Sequence, residues 1–539
     1  MSDQTVHTPA PHAQAAPNLA DLFYTASGRF PRREALAWED GSLTYAGLRD
    51  WIESLRPALR TEAGPHVGIL AHRTPLAFAA VQAILAEGKA YVPLNPGFPS
   101  VRNAFILDKA RLATLVVGEE CAEALEALLK ICDRPLRILA LEDSPKVRAV
   151  VQAGGAGISL VELHLGAGLS STPTAPLPES RGAYVLFTSG STGEPKGVRV
   201  RHDNVHSYLR SFLAAYPIGG EDRLSQTFDL TFDLSVHDQF ITWAAGATMV
   251  LYPDKHLFSP LPYTAEKKVT IWFSVPSLAA FLESARQVVP GALPQLRLSL
   301  FCGEKLTWKT CEIWKQVAPN SRLVNLYGPT EATIAITHFE IPRDFPEEAA
   351  YQGGIPIGRA FPTQWTEVRK DDLSPCKAGE VGGLWLGGDQ ITPGYLDEAR
   401  KTADRFVPRD GEVWYRTGDR VVEAAGGMLH YVGREDFQVK VMGYRIELGE
   451  IEEVLMKCSG AAFAIADVAQ LRGTMDEIFC VLPETFSTRK KEIKASLKDL
   501  LPAYMVPRHL FFTDDIPLNS NGKMDRGALK SRYSPARQN

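Results

Sequence analysis

Apolar and polar positions alternate between two periods along the first third of the chain. Val67–Ala71 is a short unbroken apolar run that fits a buried strand, and Leu76–Leu85 repeats apolar residues at helical spacing. Ala90–Leu94 reads as strand, Val101–Ile106 as helix and Leu112–Val117 as a third strand. This β-α-β-α-β order within about 50 residues predicts a parallel sheet with right-handed crossovers. A second round of alternation runs from Val250 to Leu326, with the runs Trp272–Val275 and Leu298–Phe301 each stopping at a Pro or Gly turn. Ligands of such sheets sit outside the carboxyl ends of the strands. After about Pro356 the pattern changes. Gly379–Gly394 and Gly426–Gly433 are glycine-rich with β-branched and aromatic segments between them, which predicts antiparallel β structure. From Gly449 the period becomes helical again (Ile451, Val454, Leu455), then strand, helix and loop follow to the end. The Ser/Thr/Pro-rich stretch Ser170–Pro178 reads as a loop, and no internal repeat is visible.

Length and composition narrow the class. At 539 residues the chain holds about three folding units, and 45% hydrophobic residues supply an ordinary core. The net charge of -5 argues against general binding to nucleic-acid polymers or anionic membranes. Seven cysteines at scattered spacing, with no CxxC pair, indicate neither a disulfide framework nor a zinc ribbon, and fit a reducing cytoplasm. No stretch reaches the roughly 18 apolar residues of a membrane span. Residues 1–18, rich in Ala, Pro, His and Gln, have neither a basic nor an apolar leader region and read as a disordered tail.

The chemistry concentrates in Thr188-Ser189-Gly190-Ser191-Thr192-Gly193-Glu194-Pro195-Lys196-Gly197, which follows the apolar strand Ala183–Phe187. Its glycines permit close backbone approach, its hydroxyls and N–H groups can surround a polyphosphate, and Lys196 adds a point charge. It is not a Walker A loop, because Gly197 stands where Ser or Thr would follow the lysine. The stretch resembles the phosphate loop of the adenylate-forming superfamily, which includes nonribosomal-peptide adenylation domains, acyl-CoA synthetases and luciferases. Further segments resemble that family's motifs in order: Asn325–Glu331, Tyr415–Asp419, Gly433–Lys440 continuing to Gly443–Glu447, and Asn521–Arg526. The resemblance runs from about residue 20 to about residue 530.

The resemblance implies an α/β fold. Two doubly wound αβαβα subdomains and a β-barrel subdomain would form a large core at 19–435. A small mobile α+β lid would follow at 436–530, with a flexible tail at 531–539. It also implies a two-step reaction: a carboxylate attacks the α-phosphate of ATP to give an acyl-adenylate, and a thiol then displaces AMP. Glu331 would hold Mg²⁺, Thr330 would bond the α-phosphate, and Tyr327 would face adenine. Asp419 would accept from the ribose hydroxyls, with Arg434 nearby. Lys523 would bridge the carboxylate and the α-phosphate, and Asp436 would be the hinge about which the lid turns, so that Lys440–Arg445 faces the site for thiolation. Singly, Asp419 and Arg434 could be a surface ion pair, Asp436 a turn aspartate and Lys523 a solvated lysine.

Phe232–Asp238 resembles the substrate motif of amino-acid-activating members, in which the position of Asp233 binds the α-amine. A buried carboxylate needs a partner, and an ammonium is a sensible one; the alternative is a helix-capping Asp. Carrying over the rest of that pocket gives Leu234, His237, Phe273, Leu300, Cys302, Leu326, Ile334 and Ala335, with Trp272 the alternative to Phe273 by a one-residue slip. Together they describe a small apolar pocket whose one charge is Asp233. The set, with Lys523, is similar to that of stand-alone prolyl-AMP ligases, which load L-proline onto a separate carrier protein. D-alanine (a D-alanyl carrier-protein ligase), L-alanine, valine and pipecolate are alternatives, as are an acyl- or aryl-CoA ligase and a non-catalytic scaffold that retains the fold. The chain stops soon after Lys523 with no carrier-type Gly-Gly-x-Ser, so the acceptor is expected in trans: the phosphopantetheine thiol of a stand-alone carrier protein, or coenzyme A.

Overall fold

A computed structural model describes residues 17–155, 157–165, 173–178, 181–190, 194–469, 476–517 and 526–533. Two large sheets and their helices form the body. The first has seven strands, in the order Ile158–Leu163, Leu136–Leu141, Thr114–Val117, His66–Leu70, Ala90–Leu94, Gly182–Thr188 and Lys196–Arg201. Its first six strands run parallel, and the last two form an antiparallel hairpin around the phosphate loop. The second has nine strands with a parallel centre: Thr248–Leu251, Arg223–Gln226, Ile271–Ser274, Leu298–Phe301 and Arg322–Tyr327. Every residue of Ala90–Leu94, Ile271–Ser274 and Leu298–Phe301 is buried, as strands covered on both faces require.

Local signals set the helices. Pro75 opens Pro75–Ala86, an almost wholly apolar helix buried between layers. Thr44 caps Tyr45–Arg60, its hydroxyl accepting from the Gly47 N–H at 3.1 Å. The largest core is continuous across both sheets, joining Tyr91 and Tyr184 to Leu224, Phe273 and Leu326, and reaches Leu384 and Tyr415 of a third unit. That unit is a five-stranded antiparallel sheet built on the long strand Glu412–Ala424.

The C-terminal part has its own core around Ile451, Leu455, Cys480 and Leu497. It consists of a two-stranded hairpin, Gln438–Val441 with Tyr444–Glu447, and a three-stranded sheet flanked by the helices Leu448–Ser459 and Lys490–Leu500. The hairpin is laid over the ends of the two large sheets. Two features differ from the expected tails. Asn18 is tied down, its amide donating to the Leu85 carbonyl at 2.6 Å. The last helix, Arg526–Tyr533, runs past residue 530 because Tyr533 stacks on Phe511, with centroids 4.3 Å apart. The remainder of both tails lies outside the described residues.

Candidate active site

The functional side chains converge because both large sheets present the carboxyl ends of their strands to one crevice. Thr188 ends Gly182–Thr188, Cys302 follows Leu298–Phe301, and Tyr327 ends Arg322–Tyr327. The crevice is the place a doubly wound sheet offers a ligand. The C-terminal hairpin closes it and leaves a cavity of about 90 Å³. Thr188, Ser189, Asp233, Leu234, Cys302, Thr330, Asp419 and Arg434 line this cavity from the core, and Lys440, Gly443, Tyr444 and Arg445 line it from the hairpin.

In the phosphate loop, a Cβ on Gly190 would lie 2.1 Å from the Glu194 carbonyl oxygen, so only glycine lets the loop close here. Ser189 Oγ donates to the Arg445 carbonyl at 2.6 Å, joining the loop to the hairpin. Ser191, Thr192 and Gly193 lie outside the described residues, as does Lys523. Lys196 Nζ stands 3.5 Å from Glu331 Oε1 and over the Tyr395 ring at 4.8 Å. Burial and Arg445 push its pKa down to about 8 against the pull of Glu331.

Glu331 has no solvent exposure. Oε1 accepts from the Tyr395 hydroxyl at 2.8 Å, and Oε2 accepts from Arg445 Nη1 at 2.8 Å. Burial alone would raise its carboxyl, but Arg445 and Lys196 outweigh burial and hold it well below the usual carboxylate range. A hard oxygen donor held ionised in this way fits Mg²⁺ carried on substrate phosphates, which needs one or two protein carboxylates. No cluster of three metal-ligating side chains exists among the described residues. Arg445 takes one of the two oxygens.

Asp419 and Arg434 are a buried pair, 3% and 7% exposed, at 2.5 Å. A solvated surface pair would look different on both counts. Asp419 Oδ2 also accepts from the Tyr327 hydroxyl, and the Tyr327 ring carries Lys440 Nζ 5.6 Å from its centroid. Arg434 reaches back to Asp436 through Nε at 2.6 Å and Nη2 at 2.8 Å. Asp436 also accepts from the Gln438 N–H at 3.2 Å, so it is a turn aspartate as well as an ion-pair partner.

Asp233 sits at the start of the helix Leu234–Ala245 but makes no capping bond. Instead Oδ2 accepts from the Ile334 N–H at 3.3 Å. Burial raises its carboxyl to about 6, against hydrogen bonds from Thr330 and Ile334. Ile334 has φ 71° and Thr333 φ 54°, a conformation that β-branched residues avoid. Gln390 holds them there: its buried amide Nε2 donates to the carbonyls of Ala332, Thr333 and Ala335 at 3.2, 3.1 and 2.8 Å.

Of the other expected pocket residues, Leu326 faces a larger cavity of about 830 Å³ between core and lid. His237, Phe273, Leu300, Ile334 and Ala335 are buried in the core and do not line the small cavity. Phe273 packs on His237 (4.7 Å between centroids), whereas Trp272 points to the opposite core against Trp314. His237 is a neutral ring, its pKa pushed down to about 3 by burial, and its Nδ1 bonds the Tyr208 hydroxyl at 2.7 Å. Sequence reasoning did not single out Gln390, Tyr395, Glu304 or Tyr504. Glu304 Oε1 accepts from the Gly443 N–H at 2.7 Å and Tyr504 stacks on Tyr444. The glycine-bounded Gln390 was the one available signal, since it stands between a Gly pair and a Pro-Gly turn.

The Thr188–Gly190 end of the loop, the buried Asp419–Arg434 pair and the buried carboxyls of Asp233 and Glu331 thus meet in one crevice between the two sheets. Residues 23–396 match the model of the AMP-binding enzyme family, and residues 450–523 match the AMP-binding enzyme C-terminal domain. The chain belongs to this family and is an adenylate-forming ligase with a large adenylation domain and a small C-terminal domain. It is 33% identical over 97% of its length to phenyloxazoline synthase MbtB of Mycobacterium tuberculosis. It is 34% identical over 96% to AMB antimetabolite synthetase AmbB of Pseudomonas aeruginosa. It spans only 35% and 39% of those two proteins. Among solved structures it is similar to the Vibrio cholerae adenylation domain AlmE in complex with glycyl-adenosine-5'-phosphate, with a TM-score of 0.87 and 28% identity over 97% of this chain and 99% of that one.

Proposed function

We propose that the protein activates a small α-amino acid with ATP and passes it to a carrier thiol. In the first step a substrate carboxylate oxygen attacks the α-phosphorus, the bond to the β-phosphate oxygen breaks, and pyrophosphate leaves. In the second the thiol sulfur attacks the acyl carbon, the bond to the AMP oxygen breaks, AMP leaves with the electron pair, and the thiol proton goes to solvent. The observation that carries the amino-acid reading is Asp233. A buried carboxyl at about 6 with one backbone donor gains most from an ammonium placed beside it.

Thr188–Lys196 and Thr330 would hold the phosphates, and Asp419 with Arg434 the ribose. Mg²⁺ bound through Glu331 would neutralise charge on the phosphates. Lys523 would donate to the carboxylate and α-phosphate in the first step, with the lid turned about Asp436. The orientation seen, with Lys440–Arg445 in the crevice, would serve the second step. A phosphopantetheine arm would enter by the 830 Å³ cavity, which reaches Gly303 beside Gly443.

Phe232, Leu234 and Cys302, the apolar residues that line the crevice with Asp233, support a small apolar side chain, and we read the substrate as L-proline, whose secondary ammonium still donates twice. Glycine is the second reading, favoured by the glycyl-adenylate in AlmE. We place the enzyme in the cytoplasm, supported by seven cysteines that are all unpaired; no helix among the described residues is long and apolar enough to cross a membrane. ATP–pyrophosphate exchange with an amino-acid panel tests the reading. Exchange confined to small amino acids supports it; exchange with fatty or aryl acids alone, or none at all, overturns it.

A further inference from the structure

The small cavity is not a property of the core alone. One wall comes from Phe232, Leu234 and Gly303, and the facing wall comes from Gly443, Tyr444 and Tyr504 of the C-terminal part. The fit between them is tight. A Cβ on Gly443 would lie 2.5 Å from Val275 Cγ1, so the hairpin reaches this depth only with glycine at its tip. A Cβ on Gly303 would touch Leu234 Cδ1 at 3.7 Å and Gly443 Cα at 3.8 Å, which leaves no layer of solvent between the substrate wall and the hairpin.

Tyr444 is fixed on two sides. Its ring meets Phe232 edge-on at 4.6 Å between centroids and 74°, and stacks on Tyr504 at 3.5 Å and 12°. Tyr504 in turn meets Phe98 at 6.0 Å. Beyond that row Arg102 and Glu450 form a buried ion pair at 2.6 Å, 6% and 3% exposed, that joins core to lid. Breaking such a pair is costly, so the hairpin cannot step back while the pair is kept. The ring is therefore packed between Phe232 and Tyr504 at the edge of the small cavity, where an acyl side chain would press on it.

Resting on the amino-acid-ligase reading above, we propose that Tyr444 is a specificity-determining residue that measures the substrate side chain a second time, at thiol transfer. With the hairpin out of the crevice the pocket is open on this side and selects on its floor and on Asp233. With the hairpin in place Tyr444 and Phe232 close it. An adenylate whose side chain stands above Leu234 then keeps Tyr444 out, and with it Gly443 and Arg445, which must dock together. Oversized amino acids are activated but not passed on. A pocket wall discriminates one methylene by about 10–200-fold, so a second wall multiplies a modest first selection.

The experiment compares two selectivities in the full chain. Pyrophosphate exchange gives the ratio of L-proline to the largest amino acid that still exchanges. Single-turnover transfer from the preformed adenylates to pantetheine gives the second ratio. The expected transfer ratio exceeds the exchange ratio at least tenfold in the wild type. It falls to the exchange ratio in Tyr444→Ala and stays at the wild-type value in Tyr444→Phe. Should the alanine variant transfer nothing, Tyr444→Leu, which keeps an apolar contact with Phe232, carries the same comparison. Equal ratios in the wild type, or a variant that slows transfer of every adenylate by one common factor, overturn the proposal. Absence of exchange with any amino acid would instead sink the amino-acid-ligase reading on which it rests.

Discussion

Arg445, on the C-terminal hairpin, places its guanidinium 2.8 Å from Glu331, a carboxylate with no solvent exposure at the centre of the core's crevice. The pair ties lid position to the charge state of the site. Arg445 and Lys196 together hold Glu331 ionised against its burial, so without the hairpin that charge must be met by Lys196 or by a cation brought with the phosphates. The same guanidinium donates through Nε to Gln438 Oε1 at 2.7 Å, and the Arg445 carbonyl accepts from Ser189 Oγ at 2.6 Å. The hairpin is therefore tied to the core by two bonds at one residue, while the bond to Gln438 stiffens the hairpin itself.

Arg445→Ala removes a charge-assisted bond to a buried partner, worth about 1.5–3 kcal/mol or roughly 10–150-fold. The expected outcome is a loss of that size in single-turnover thiol transfer, with pyrophosphate exchange within about threefold of wild type. Equal losses in both half-reactions would show that the hairpin contact is structural for the whole site.

Lys523→Ala should do the reverse. Losing a preorganised donor at the reacting carboxylate costs about 3–4 kcal/mol, so exchange should fall about 10²–10³-fold. Transfer from a supplied aminoacyl-adenylate should be little changed. A variant that kept wild-type exchange would remove Lys523 from the chemistry.

The pH dependence follows from Asp233. Its carboxyl titrates near 6, well above an ordinary aspartate, so it is neutral below that pH and cannot pair with an ammonium. KM for the amino acid should rise as pH falls through 6, by about tenfold per unit well below it, while KM for ATP stays flat. The stability sign agrees. A raised folded-state pKa makes the empty protein lose stability as pH rises from the unfolded value through 6, and a bound ammonium restores it. The amino acid should therefore raise Tm more at pH 7.5 than at pH 5. Asp233→Asn should abolish both effects, and an unchanged KM profile in that variant would contradict the assignment.

Gln390 is expected to act on the same parameter at a distance. Its amide holds three carbonyls around the strained Thr333–Ile334 turn, and that turn supplies the N–H that aims Asp233. Gln390→Leu keeps the volume but leaves the carbonyls unpaired, at about 1–3 kcal/mol each. KM for the amino acid should rise about tenfold or more with KM for ATP changed far less. Gln390→Glu, which keeps one acceptor pair but no amide donor, should not rescue it.

Much of the fold was legible because buried parallel strands write themselves as apolar runs. Ala90–Leu94 and Leu298–Phe301 appear in the structure with the bounds their sequence suggests. Chemistry was legible where several residue types must stand in order, as in the strand and loop that end at Lys196. Contacts between distant segments were not. Nothing local tells that Gln390 clamps a turn 55–58 residues away, or that Arg445 lies on Glu331, 114 residues distant. Asp233 shows the middle case. Its residue type and motif left an ammonium partner and a helix cap open, and the structure shows no capping bond and an Ile334 N–H on the carboxyl instead. Of the expected liners, Asp233, Leu234 and Cys302 line the small cavity and Leu326 the larger one, while His237, Phe273 and Leu300 are buried in the core; Tyr444 and Tyr504 line the small cavity from the C-terminal part.

Whether Asp233 reads an ammonium decides the substrate class. The most direct measurement is ATP–pyrophosphate exchange with L-proline and with cyclopentanecarboxylic acid, which has the same ring and carboxylate but no nitrogen, alongside glycine and acetic acid. Exchange with an amino acid of each matched pair, and at least about 100-fold less with its nitrogen-free partner, is the result this structure predicts. Equal exchange with the acids lacking nitrogen would contradict it.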